Sequence, residues 1–285
     1  MILEIQSTQL PTAEQIAKTK NLLKARLYDF GFSEINITSE NANPRKLFVE
    51  TKKDTTYEVM KERLRSAIKI TGLNIWNTHR ITDFDMSKLK SDLQGIEDFQ
   101  LNYRFDNEYS NTHQEEILGR CEKIEQLEQV KKEVEQRLAN YENIKLLWSY
   151  LYEEVFEENG TPIHIYSLYL IDTKGEDQAP IAHHHLEKVQ AVPSGYSWEW
   201  LINAYFDKEG ADILQQLSKK AMDNNFRSLA FVVDDKVYSA PSIRYELDGG
   251  AISISGLFDT ASAKELAKGL RQSIEFPFPL KLVEE

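Results

Sequence analysis

The 285-residue chain has a single cysteine, Cys121, so it can close no internal disulfide and build no thiolate metal site. It has no run of ~18 apolar residues, which excludes a membrane-spanning helix in this stretch. Positive charge is scarce: 34 Lys and Arg against 46 Asp and Glu leave a net charge of −12. Such a surface repels phosphate backbones and anionic lipid, so nucleic acid and membrane surfaces are poor partners. Also missing are a G-x-S-x-G elbow, a nucleophilic cysteine context and the glycine patterns of nucleotide loops. Gly249–Gly250 lacks a following Lys-Ser/Thr and reads as a turn. Met1–Gln9 has no basic residue and no long apolar stretch, unlike a secretory signal. These absences argue against an enzyme, and no cofactor or metal is expected.

With 41% hydrophobic and 28% charged residues, the composition is that of a folded globular protein. Its length suggests two domains. Residues 1–84 give the order βαββαβ, the pattern of a ferredoxin-like sandwich. Met1–Ser7 alternates as a strand. Thr12 and Gln15 form a capping box, and Ile16, Leu23, Leu27 and Phe30 make one helical stripe that Gly31 ends. The runs Glu34–Ser39 and Lys46–Thr51 read as strands. Thr55 and Glu58 cap a helix that Gly72 closes, and Leu73–Ile81 reads as the last strand.

Residues 85–160 differ. Between His113 and Glu158 stand 12 acidic and 6 basic residues. Ile117, Cys121, Ile124, Leu127, Val130, Val134, Leu138, Tyr141, Ile144, Trp148, Leu151 and Val155 recur at a mean spacing of about 3.5, the seam period of paired helices. The expectation is a long acidic helical insertion, either packed on its own domain or used to bind a partner, with Cys121 a small core residue.

From Thr161 an α/β pattern returns. Strands are expected at Ile163–Ile171, Trp198–Phe206, Ser228–Val233, Lys236–Ile243 and Ala251–Ser255. Asp207 and Thr260 are expected to cap helices, and Asp234–Asp235 to make a tight turn. Pro241 removes a ladder donor, implying an edge or bulge. His183, His184 and His185 alternate across a strand in this reading, so they make no common ligand set and form a solvated stretch. The aromatics Tyr196, Trp198, Trp200, Tyr205 and Phe206 fit either a core strand or a peptide-stacking surface.

Several pieces of this C-terminal pattern occur together in one known family. Gly210–Ala211, Val232–Val237, Ser239–Ala240–Pro241, Ser255–Gly256–Leu257–Phe258 and Leu266–Ala267 with Leu270–Arg271 resemble the head subdomain of the first periplasmic domain of SecD and fused SecDF. Leu22–Ile37, with Arg26 and Gly31, is similar to the entry of that family's base subdomain. The resemblance implies an α+β fold: a ferredoxin-like base over 1–84, completed by the tail 275–285 with Leu280–Val283, and a head over 161–274. It also implies protein export on the periplasmic side of the inner membrane, through contact with translocating polypeptide or the SecYEG translocon. The membrane helices that couple the family to the proton gradient are absent from this chain. The insertion and Ser273–Pro277 depart from the family pattern.

The expected role is therefore a non-enzymatic module that binds extended polypeptide by strand addition along Lys236–Ile243, with Tyr238, Ser239 and Pro241 as contacts. The alternatives are a scaffold that uses the acidic helices, or a small-molecule sensor.

Overall fold

The computed structural model describes residues 1–285 except 6–9, 30, 41, 53–55, 69–71, 103–114, 157–159, 177, 196–197, 276–279 and 284–285. Phe30, Thr55, Tyr196 and Pro277 therefore lie outside the described residues. The chain divides into two compact units, Met1–Thr71 with Lys268–Glu285, and Gly72–Ala267.

In the first unit, β1 (Ile2–Ile5) leads to α1 (Ala13–Asp29). Its start is held reciprocally: the Thr12 N–H donates to Gln15 Oε1 and the Gln15 N–H to Thr12 Oγ1. Gly31, at φ 82°, ends it, with its own N–H on Tyr28 O and that of Phe32 on Leu27 O. Next come β2 (Asn36–Ser39), β3 (Lys46–Glu50) and α2 (Tyr57–Ile68). The sheet is completed from the far end of the chain. Leu280–Val283, named β15 because it is the last strand, pairs with β1 in the antiparallel order β15-β1-β3-β2. Leu3, Ile5, Leu47 and Val49 from the strands meet Leu23, Leu27 and Leu64 from the helices in one buried core.

The expected sixth element goes elsewhere. β4 (Leu73–Thr78) leaves this sheet and pairs with strands of the second unit. Both faces of β4 are largely buried, which suits the interior of another sheet better than a place beside β1.

The second unit continues with α3 (Met86–Leu93), β5 (Gln100–Leu101), β6 (Ile117–Cys121), α4 (Leu127–Arg137), β7 (Ile144–Trp148) and β8 (Glu153–Phe156). The expected long helical insertion is thus wrong: over 85–160 short helices alternate with strands. Ile117 and Cys121 sit on β6, Ile144 and Trp148 on β7, and only Leu127, Val130 and Val134 share a helix. Two strands of period 2 around one helix average to a coiled-coil spacing without being one. A scaffold built on long acidic helices loses its premise. Cys121 is buried in the core, as expected.

β9 (Pro162–Asp172) is the hub. One edge takes β4 and β6; the other takes β7 and β8. β10 (Leu186–Pro193), β11 (Trp200–Phe206) and α5 (Lys208–Asp223) follow, then β12 (Leu229–Val233), β13 (Lys236–Ser239), β14 (Ala251–Phe258) and α6 (Thr260–Glu275). Asp207 caps α5 through Gly210 N. Asp259, rather than the expected Thr260, caps α6 through Ser262 N.

β13 pairs with β12 and β12 with β4. Beyond β7, Ser149 bridges Val237, and the Tyr150 N–H donates to Val237 O at 2.8 Å. The strands β13-β12-β4-β9-β7 therefore close into a ring around Trp76, Leu147, Ile171, Ala230, Val232 and Val237. β10, β11 and β14 form a separate three-stranded sheet.

Candidate functional site

The turn between β12 and β13 is made by Asp234 and Asp235 at φ 49° and 59°, as their sequence suggests. Ring closure changes the fate of the expected contact strand. The outer edge of β13 is already bonded at Val237, and Tyr238 is packed: its ring stacks on Tyr150 at 4.1 Å and lies 5.9 Å from Phe258. Burial, then the adjoining Tyr150, raises the Tyr238 hydroxyl pKa. Tyr238 is thus a packing residue that holds the ring closed.

Ser239 and Pro241, by contrast, line an open groove of about 700 Å³. After β13 the chain stays tied to β12 by the Leu229 N–H on Pro241 O and the Ile243 N–H on Arg227 O. This presents Ser239–Ser242 as one wall. The other wall is β14, whose Ser253 and Ser255 also line the groove. β14 pairs with β11 on one side, and its other edge has no strand partner among the described residues.

Charged residues form the floor. The Ile81 N–H on Glu115 O and the Leu170 N–H on Glu116 O fix the segment just before β6. Arg80 reaches Glu115 Oε2 at 3.1 Å and donates to Asn225 O. Glu116 is 6% exposed. Burial pushes its pKa up to about 7, opposed by hydrogen bonds from its own backbone and Ser228. Burial likewise pushes the neighbouring Tyr169 hydroxyl to about 12, and the charge of Glu116 adds to it. Nearby, Arg227 grips Asp83 with two bonds of 2.7 Å. Burial alone would raise the Asp83 pKa; the Arg227 and Arg80 N–H bonds outweigh it and hold the carboxyl below the usual range.

At the rim, Asn225 and Phe226 adopt φ 55° and 56°, and Phe226 is 51% exposed. A bulky side chain in the left-handed region is strained and here gains little burial. Phe226→Gly is expected to raise stability by about 1 kcal/mol, measured by urea melts. An unchanged or lower midpoint would mean that the ring is held by packing after all.

Residues 168–274 match the SecDF P1 head subdomain. Curated relatives align with shorter stretches. SecD of Calditerrivibrio nitroreducens is 39% identical over 83 residues, covering 29% of this chain and 15% of that protein. SecD of Acetobacter pasteurianus is 31% identical over 126 residues, covering 44% and 22%. SecDF of Thermus thermophilus is 36% identical over 83 residues, covering 29% and 11%. The chain thus spans about 15% of the length of the first SecD relatives it matches. A solved structure of the membrane component SecDF that enhances protein export superposes at TM-score 0.47 and 18% identity, covering 100% of this chain and 97% of that one. Among the described residues no helix is long and apolar enough to cross a membrane.

The head-like stretch supplies both groove walls and Phe226, whereas Arg80, Glu115 and Glu116 come from outside it. Of the groove's lining residues the sequence singled out Ser239 and Pro241, and not Arg80, Glu116, Phe226 or Arg244. A usable signal was the Glu115–Glu116 pair set directly against the apolar Ile117–Leu118. The triple histidine forms a 3-10 turn rather than a strand. It is not wholly solvated either, since His185 is buried with Nδ1 3.4 Å from Asp207 Oδ1. Among the described residues no group of three or more His, Cys, Asp or Glu is placed to hold a metal. In the aromatic stretch Phe206 is buried in β11, while Trp198 is 71% exposed.

Proposed function

We propose that the chain is a protein-export module of the SecD type that holds extended polypeptide in the groove between Ser239–Ser242 and β14, on the periplasmic side and beside the Sec translocon. The unit with strand order β15-β1-β3-β2 serves in this reading as the ferredoxin-like base, and the segment around the groove as the head. The observation that carries the proposal is the unpartnered edge of β14, lined by Ser253 and Ser255 and facing a second extended segment. Unpaired strand edges accept main chain of any sequence through N–H and C=O groups, which suits a cargo that varies in sequence. Strand addition therefore belongs to β14 rather than to β13, whose edge Tyr150 occupies.

A photoactivatable cross-linker on Ser255→Cys tests this, because the native Cys121 is buried. With a denatured, thiol-blocked polypeptide, adducts are expected from position 255 and not from an identical probe at Lys219 on α5. No adduct at 255, or equal adducts at both positions, would overturn the assignment.

A further inference from the structure

We propose that this groove discriminates among extended segments by charge, favouring those that carry a carboxylate. The inference rests on the polypeptide reading above and adds a substrate class to it. The floor cation, Arg80, is already committed to Glu115 and Asn225 O. Arg244 is different: it lines the groove, is exposed, and makes no ion pair or hydrogen bond among the described residues. Around it stand the hydroxyls of Ser239, Ser242 and Ser255, which can donate to a carboxylate or accept from main-chain N–H groups, while that of Ser253 already donates to Asn203 Oδ1 at 2.7 Å.

The wall serines carry no charge, and Glu115 is offset by Arg80. Glu116 lies on the floor with its carboxyl near half-protonation at neutral pH, so it only partly opposes Arg244. On a chain of net charge −12, an uncommitted guanidinium in a concave, hydroxyl-lined groove is a local attractor for an anionic group. A lysine-bearing segment meets the opposite situation, with Arg244 repelling it.

Three end-blocked nonapeptides of alternating serine and alanine, differing only in a central Asp, Asn or Lys, test the idea with the full chain. A fourth, the Asn peptide with a free C-terminal carboxylate, separates side-chain from terminal recognition. Fluorescence anisotropy is expected to show the Asp peptide binding about fivefold more tightly than Asn, with Lys weakest. Arg244→Ala should abolish the Asp preference, so that the Asp and Asn peptides bind with equal affinity. A gain for the fourth peptide equal to that of Asp assigns the site to chain ends as well. Equal binding of Asp, Asn and Lys, or a preference for Lys, overturns the charge inference and leaves the polypeptide reading intact. If no peptide binds, both fall.

Discussion

Glu116→Gln is expected to stabilise the second unit by up to about 3 kcal/mol at pH 8, an unusual outcome for a buried substitution. The folded protein keeps a proton on Glu116 up to about pH 7, whereas the unfolded chain releases it near the ordinary value of 4.5. Between those values the native state binds more protons than the unfolded one, so stability falls as pH rises through the window and levels off above it. Glutamine fills the same space and accepts the Ser228 hydrogen bond, but never ionises. The two proteins should therefore be equally stable below about pH 4.5 and diverge steadily up to pH 7. All four tryptophans, Trp76, Trp148, Trp198 and Trp200, lie in Gly72–Ala267, so their fluorescence in urea melts reports this unit selectively. Parallel stability curves for the two proteins from pH 4 to 8 would refute the buried, proton-holding carboxyl.

Trp148→Ala should be the most damaging single change in this unit, costing about 3–5 kcal/mol. The indole is 1% exposed, and its Nε1–H donates to Leu127 O at 2.9 Å, fastening β7 to the start of α4. Around it lie Leu118, Val130, Val134, Leu146 and Leu168 of the same core. Truncation opens a large cavity and removes a buried hydrogen bond in one step. Set against the 5–15 kcal/mol typical of a domain, that leaves the unit close to unfolding at 37 °C. Trp148→Phe should cost less than half as much, since most of the volume remains. A loss under about 1 kcal/mol for the alanine variant, measured by circular dichroism, would contradict the packing described.

Trp148 also shows where sequence reading fails. Its spacing from Cys121, Leu127 and Val134 fits a helical stripe, yet it projects from a strand. Short apolar elements separated by tight turns mimic a longer period when concatenated, and only pairing partners separate the two cases. β4 presents the same difficulty. Leu73–Thr78 reads correctly as a strand, but nothing in those six residues says which sheet they join. Its bonds run to Leu229–Val233 and to Ile171 and Asp172. The groove was half legible. Ser239 and Pro241 stand out from the family pattern, whereas the packing of Tyr238 is invisible locally because its stacking partner, Tyr150, is 88 positions away.

The residues by themselves determined what depends on near neighbours: the Thr12–Gln15 box, the Gly31 stop, the Asp207 cap, the Asp234–Asp235 turn and the alternation of strands and helices after Thr161. Such features arise from hydrogen bonds and φ preferences that span a few positions, so local sequence contains all the partners. Tertiary structure alone decided the closure of the ring at Val237, the departure of β4 to another sheet, the grip of Arg227 on Asp83 across 144 positions, and the proton held by Glu116. Each of these depends on desolvation or on a partner brought from far along the chain, and both exist only once the chain has folded.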